Sequence, residues 1–177
     1  YKQEKQARNI CDFDDIRRYA YSLLVSPDDT PTSLAREYAE RFDEIFIDEY
    51  QDVTEVQDLI FRSVSNGHNR FMVGDIKQSI YGFRQAMPFL FTDRYEKYAT
   101  YDQEQAIFPA TITLKNNFRS RRDVTETVNF LFRQLMARQL GGVDYGATEQ
   151  LVPTATYPDA DCTTEWLLVD RDVAKEQ

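Results

Sequence analysis

Asp48 and Glu49 stand side by side directly after the apolar run Ile45-Phe46-Ile47, and Asp52 follows in the stretch Asp48-Glu49-Tyr50-Gln51-Asp52. Ligands of open α/β sheets collect outside the carboxyl ends of the strands, so a strand that delivers two carboxylates there offers a site for phosphoryl chemistry. One acid can hold Mg²⁺ against the outer phosphates of a nucleotide while the other takes a proton from the attacking water. In that division Asp48 is the metal carboxylate and Glu49 the general base. The acids also suit a helix start, because Asp52 followed by Glu55 has capping-box spacing ahead of Val56, Leu59 and Ile60. Asp52 and Glu55 are assigned to that cap, and both readings stay open for Asp48 and Glu49.

A second apolar run, Phe71-Met72-Val73, leads into Gly74-Asp75-Ile76-Lys77-Gln78-Ser79-Ile80-Tyr81-Gly82-Phe83-Arg84. Glycine at 74 allows close backbone approach, and Gln78 offers a donor and an acceptor to a phosphate or a water. Tyr81 and Phe83 beside Arg84 have the composition of a stacking platform for single-stranded nucleic acid, where each stacked base contributes roughly 1–3 kcal/mol. The competing assignment places Ile80, Tyr81 and Phe83 in the core. A third stretch, Ile112 to Arg122, holds Lys115, Arg119, Arg121 and Arg122, the most basic window of an acidic chain. Ser120 with Asp123 reads as an N-cap pair. Cations at a helix start oppose its dipole and call for an anionic partner such as phosphate, unless they are simply solvated.

The elements that must position these residues follow from periodicity and punctuation. Phe13 to Leu24 and Leu34 to Phe42 have helical spacing, separated by the breaker Ser26-Pro27-Asp28-Asp29-Thr30-Pro31. Strands over Glu44 to Asp48 and Arg70 to Gly74 flank a helix near Glu55 to Ser65, a unit suited to a parallel sheet. Helix is predicted over Pro88 to Tyr98, strand over Thr111 to Leu114, and a long helix over Arg121 to Gln139 closed by Gly141-Gly142. Glu165 to Val169 reads as a further strand. A domain junction near Pro109 divides the chain into 1–109 and 110–177.

Composition narrows the class. The chain has 177 residues with a formal net charge of −9 and 42% hydrophobic residues, enough for a core. No apolar run approaches the roughly 20 residues of a membrane span and no signal peptide is visible, so a cytoplasmic protein is expected. Cys11 and Cys162 are too few for a metal site or a disulfide framework. His68 sits in the turn-like Ser65-Asn66-Gly67-His68-Asn69 and is expected at the surface. Net acidity opposes nucleic-acid binding in bulk. The sign is uneven, however, with acids concentrated over Asp28 to Asp58 and bases over Lys115 to Arg138.

The three segments together resemble superfamily 1 DNA helicases of the UvrD, Rep and PcrA type, which carry a DExxQD box, a GDxxQSIYxFR box and an NFRS or NYRS box in this order. Finer features are similar to the AddA (RexA) type, the helicase and nuclease subunits of double-strand-break processing enzymes. These are Asp75 to Arg84, Pro88-Phe89-Leu90-Phe91, Tyr95 to Tyr98, Asn129 to Met136, Gly141 to Tyr145, and the upstream Asp12-Phe13-Asp14-Asp15. The resemblance implies an α/β fold: part of a RecA-like parallel sheet with flanking helices over 1–109, and the start of a second RecA-like domain over 110–177. It implies ATP and Mg²⁺ as cofactors, with Asp48 on the metal, Glu49 as base and Gln78 as sensor of the γ-phosphate. It further implies Phe118 stacked on adenine, Arg119 as an arginine finger, and Tyr81, Phe83 and Arg84 on single-stranded DNA. Single strands and double-stranded DNA ends are the implied substrates, and an AddB/RexB-type protein is the implied partner. Phe83 stands where UvrD-type proteins usually have Trp, Phe118 where Tyr is usual, and Gly82 where a larger residue is common.

No G-x-x-x-x-G-K-[ST] phosphate loop occurs in the sequence. The chain therefore reads as an internal fragment of a helicase/nuclease, inactive alone. The alternatives are a UvrD/PcrA-type helicase without nuclease, an inert DNA-binding scaffold, and a stand-alone metal-dependent hydrolase using Asp48, Glu49 and Asp52.

Overall fold

Ile45, Phe46 and Ile47 form strand β1 (Ile45–Ile47), which pairs in parallel with β2 (Arg70–Met72) in the register Ile45 to Arg70, Phe46 to Phe71 and Ile47 to Met72. The computed structural model describes residues 1–79, 86–137, 139, 144–158, 163–165 and 167–169. These fall into two compact units, Tyr1–Thr111 and Ile112–Gln177. The protein is a mixed helix and strand fold with small parallel sheets.

In the first unit, helix α1 (Lys2–Arg8) precedes α2 (Phe13–Leu24), whose N-cap Asp12 exchanges hydrogen bonds with Asp15 in a capping box. Lys5 ties both carboxylates at 2.6 and 2.5 Å. Thr32 caps α3 (Ser33–Arg41), and α2 packs on α3 and on α4 (Glu55–Ser63), the crossover between β1 and β2. The expected strand, helix, strand unit is present. Its cap is not the expected one, since Thr54 and Gln57 make the capping box. Asp52 is taken up in a 3-10 turn over Tyr50–Asp52, which ends before the extended Val53 and Thr54 that open the helix.

Helix α5 (Pro88–Lys97) has proline in its first turn, where the missing amide costs nothing. Buried Ile47, Tyr50 and Val53 form the core, packed by Ile45, Phe61, Met72 and Phe91. Fully burying an aliphatic side chain of this size stabilises the fold by roughly 1.5–3 kcal/mol. The unit ends with a short parallel pair, β3 (Ala99–Thr100) and β4 (Ala110–Thr111).

The second unit departs more from expectation. Of the strand expected over Thr111 to Leu114, only Thr111 lies in one, and Ile112 and Leu114 are exposed. Pairing forms instead between β5 (Asn116–Asn117) and β6 (Val152–Pro153). Alternation alone does not make a strand where no neighbouring backbone receives it. The same reason applies to 165–169, whose described residues form no strand and leave Leu167, Leu168 and Val169 exposed. Helix α6 (Arg122–Leu135) stops short of the predicted Gln139. Its N-cap is Arg121 without a side-chain bond, rather than the Ser120 and Asp123 pair, because Asn117 Oδ1 already accepts from the Arg119 and Ser120 amides at 3.0 and 2.8 Å. Asn129 on this helix accepts from the Tyr145 hydroxyl at 2.5 Å and the Leu151 amide at 3.0 Å.

Among the described residues no helix is long and apolar enough to cross a membrane. His68 and Cys11 are exposed. Gly141, Gly142 and Cys162 lie outside the described residues, as do Tyr81, Phe83 and Arg84.

Candidate functional site

Where β1 ends, the Ile47 carbonyl accepts from the Val73 amide and the Val73 carbonyl accepts from the Tyr50 amide, each at 2.8 Å. These two bonds carry the sheet pairing past the strand ends and fix the intervening Asp48 and Glu49 as an outward turn. Both acids are exposed. Asp48 Oδ1 accepts from the Glu49 amide at 2.9 Å. Glu49 adopts a left-handed backbone, φ 50° and ψ 44°, uncommon for a residue with a Cβ and disfavoured by roughly 1–2 kcal/mol.

Gln51, 1% exposed, joins this turn to the end of β2. Its Nε2 donates to Glu49 Oε2 at 2.7 Å and its Oε1 accepts from the Asp75 amide at 2.9 Å. Gly74 makes room for the side chain: a Cβ there would stand 2.6 Å from Gln51 Oε1 and 3.1 Å from the Tyr50 amide nitrogen. Beyond it, Asp75 receives Lys77 Nζ at 2.8 Å and Gln78 Nε2 at 3.0 Å. Burial pushes the Asp75 carboxyl up, but the hydrogen bonds from Lys77 and Gln78 and the Lys77 charge outweigh it and hold it below the usual carboxylate range. Asp48, Glu49, Gln51, Asp75 and Gln78 thus belong to one edge, outside the carboxyl ends of two parallel strands.

Two buried groups underlie this edge. Tyr50, fully buried, donates its hydroxyl to Asp58 Oδ1 at 2.6 Å, and burial followed by that carboxylate pushes the phenol well above its usual range. Asp52 Oδ1 is buried and accepts no hydrogen bond among the described residues. Desolvation first, and then the Glu49 charge, raise the Asp52 carboxyl. Sequence reasoning does not find Gln51 and Asp75 as site residues although both stand within the quoted segments, because their roles rest on a bond between chain positions 24 apart.

In the second unit, Phe118 is 70% exposed and Arg119 is exposed. The Arg119 carbonyl accepts from the Tyr157 hydroxyl, and the Arg121 guanidinium lies 5.0 Å over the Tyr157 ring while donating to the Pro158 carbonyl at 2.8 Å. The turn carrying Arg119 is therefore held by its backbone, with its side chain turned to solvent. Two open hollows on the first unit, of about 600 and 410 Å³, are lined by residues of the α2, α3 and α4 side and by neither Asp48, Glu49 nor Gln78.

Residues 1–99 match the model of the UvrD/REP helicase N-terminal domain. The chain belongs to the UvrD/REP helicase family. Relatives within and beyond that match share one description, an ATP-dependent helicase/nuclease subunit. The protein so named from Clostridium kluyveri is 45% identical over 164 residues, 89% of this chain and 13% of the relative. Its counterparts from Leuconostoc mesenteroides and Streptococcus pneumoniae are 43% and 41% identical over 90% and 100% of this chain. The chain spans 12–14% of the length of these relatives.

For a UvrD/REP family member the question at the β1 edge is whether its donors suit Mg²⁺ with a nucleotide. Magnesium usually keeps several waters and binds through one or two carboxylates plus substrate phosphates, not in an all-protein cage. Asp48 fits that mode, since it is exposed and its Oδ2 takes no hydrogen bond among the described residues. Among those residues no group of three His, Cys, Asp or Glu could hold a metal by itself. The stand-alone hydrolase reading of Asp48, Glu49 and Asp52 lacks its cluster.

Proposed function

We propose that this chain is the middle of an AddA-type ATP-dependent DNA helicase and nuclease that acts on DNA ends in double-strand-break repair. In this reading it comprises the end of one RecA-like motor domain, residues 1–109, and the start of a second, residues 110–177. The observation that carries it is the Gln51 bridge, which joins the acidic box to the Gly74-Asp75 segment on one sheet edge as an ATP-hydrolysing site requires. The relatives' shared name supports a parent with a nuclease over a helicase lacking one.

Bound ATP with Mg²⁺ supplies the phosphoanhydride bond whose hydrolysis drives movement along DNA. Asp48 holds the metal through its free carboxylate oxygen. Glu49, held by Gln51, accepts the proton of the attacking water. Gln78, exposed and tethered by Asp75, senses the terminal phosphate. Phe118 offers an open ring to the adenine, and Arg119 serves as the finger that offsets charge developing on the phosphate. Tyr81, Phe83 and Arg84 contact single-stranded DNA. The partner is an AddB/RexB-type protein, and the location is the cytoplasm.

The test is Glu49→Gln in the intact parent enzyme. Nucleotide binding is retained and DNA-stimulated hydrolysis falls by about 10²-fold or more, the usual scale for a lost general base. Hydrolysis at the wild-type rate rules out Glu49 as the base.

A further inference from the structure

Gln51 combines three properties that side chains near a strand end seldom share: it is almost fully buried, both ends of its amide are used, and a glycine is required opposite it. Its amide oxygen is anchored by a backbone amide, that of Asp75 at 2.9 Å, which is a rigid point at the end of β2. Its amide nitrogen is thereby oriented and directed at the Glu49 carboxylate, 2.7 Å away. Glu49 is otherwise an exposed, flexible acid on a left-handed residue. A glutamate at the surface samples several rotamers, whereas proton abstraction needs one geometry within hydrogen-bond reach of the water.

We propose that Gln51 is a positioning residue for Glu49, transmitting the fixed position of the Asp75 backbone to the proton-accepting carboxylate. The proposal rests on the reading of Glu49 as the base and adds to it the group that aims it. Gln51 acts only through Glu49. Gly74 belongs to the same device, because a methyl group at 74 would stand 2.6 Å from Gln51 Oε1, displacing it and swinging the amide away from the carboxylate. Asparagine cannot replace Gln51, since it is one methylene too short to span both partners.

The experiment compares Gln51→Ala, Gln51→Glu and Gly74→Ala with wild type and Glu49→Gln in the intact parent enzyme at saturating single-stranded DNA, with thermal midpoints recorded for each. Gln51→Glu is nearly isosteric and keeps an acceptor for the Asp75 amide but offers Glu49 no donor, so it separates the aiming bond from packing. All three variants lower kcat about tenfold to 10²-fold with KM for ATP within about twofold, the pattern of an interaction used only in the transition state. Near-normal kcat in Gln51→Glu with a wild-type thermal midpoint overturns the proposal. So does a loss that appears only in KM. If Glu49→Gln is inactive while Gln51→Ala and Gln51→Glu both turn over normally, the base assignment stands and the aiming role falls. If Glu49→Gln itself is fully active, both fall together.

Discussion

Arg94 on α5 grips Asp58 on α4 with a single nitrogen, Nη2 lying 2.8 and 2.9 Å from the two carboxylate oxygens. Both side chains are largely buried, the Tyr50 ring lies under the guanidinium at 5.0 Å, and the Tyr50 hydroxyl adds a third bond to the same carboxylate. Burial pulls the Arg94 guanidinium down, and the bonds and charge of Asp58 push it up further still. Arg70 approaches Asp58 only to 4.0 Å, with its Nη1 hydrogen-bonded to nothing among the described residues, so it is a poor substitute. Arg94→Met leaves a buried carboxylate without its counter-charge. The expected cost is about 3–5 kcal/mol, read as a lowered thermal midpoint, and a loss below about 1 kcal/mol means the pair is better hydrated than its burial indicates.

Glu49 sits in the left-handed region without being glycine. Its backbone conformation is imposed by the bonds that pin Ile47 and Tyr50 to Val73 on either side of it. Glu49→Gly removes the Cβ and with it the strain, while Glu49→Ala keeps the strain and removes only the carboxylate. Glu49→Gly is therefore expected to be more stable than Glu49→Ala by about 1 kcal/mol, with both inactive in hydrolysis. Equal midpoints for the two variants indicate that the turn relaxes once the carboxylate is gone.

Residue order reveals whatever depends on neighbours in the chain. β1, α4, β2 and α5 lie within a few residues of their predicted spans because their apolar spacing and proline placement are local signals. Asp48 and Glu49 are legible as strand-end acids for the same reason. The cap of α4 falls two positions from the expected one, since Asp52 with Glu55 and Thr54 with Gln57 overlap as patterns and only the intervening 3-10 turn chooses between them. Gln51, Asp58 and Arg94 are not legible. Asp58 and Arg94 look in sequence like solvated charges on helix faces, and their burial depends on α4 and α5 meeting over Tyr50. The alternation at Ile112 and Leu114 misleads because a strand requires a partner that a chain segment does not reveal.

Asp52 carries the opposite electrostatic sign of effect from Asp75. Its Oδ1 is sealed from solvent without a hydrogen bond among the described residues, and the Glu49 charge adds repulsion. A carboxyl raised in the folded state binds its proton more tightly there than when unfolded. Ionisation of Asp52 therefore costs stability, and the cost is relieved as pH falls through the raised native value. Asp52→Asn is expected to raise the thermal midpoint at neutral pH. The advantage over wild type should shrink steadily toward acid, where the native Asp52 is itself protonated. A difference that stays constant across the titration assigns the effect to packing instead.

The turn carrying Arg119 makes a last prediction possible, because two different bonds hold it. Asn117 Oδ1 binds the Arg119 amide at 3.0 Å from one side, and the Tyr157 hydroxyl binds the Arg119 carbonyl from the other. Neither bond involves the guanidinium, which stays available to a phosphate. If Arg119 is the finger, Arg119→Ala in the intact enzyme lowers turnover by about 10³-fold or more. Tyr157→Phe keeps the ring under Arg121 and deletes only the hydroxyl, so the turn loosens without losing its cation stack. Its expected loss is about threefold to tenfold in kcat, on the scale of one neutral hydrogen bond. Measured side by side, a Tyr157→Phe defect that persists at full size in the Arg119→Ala background shows that the hydroxyl works through some other part of the unit. A defect that vanishes there shows that Tyr157 acts by holding Arg119.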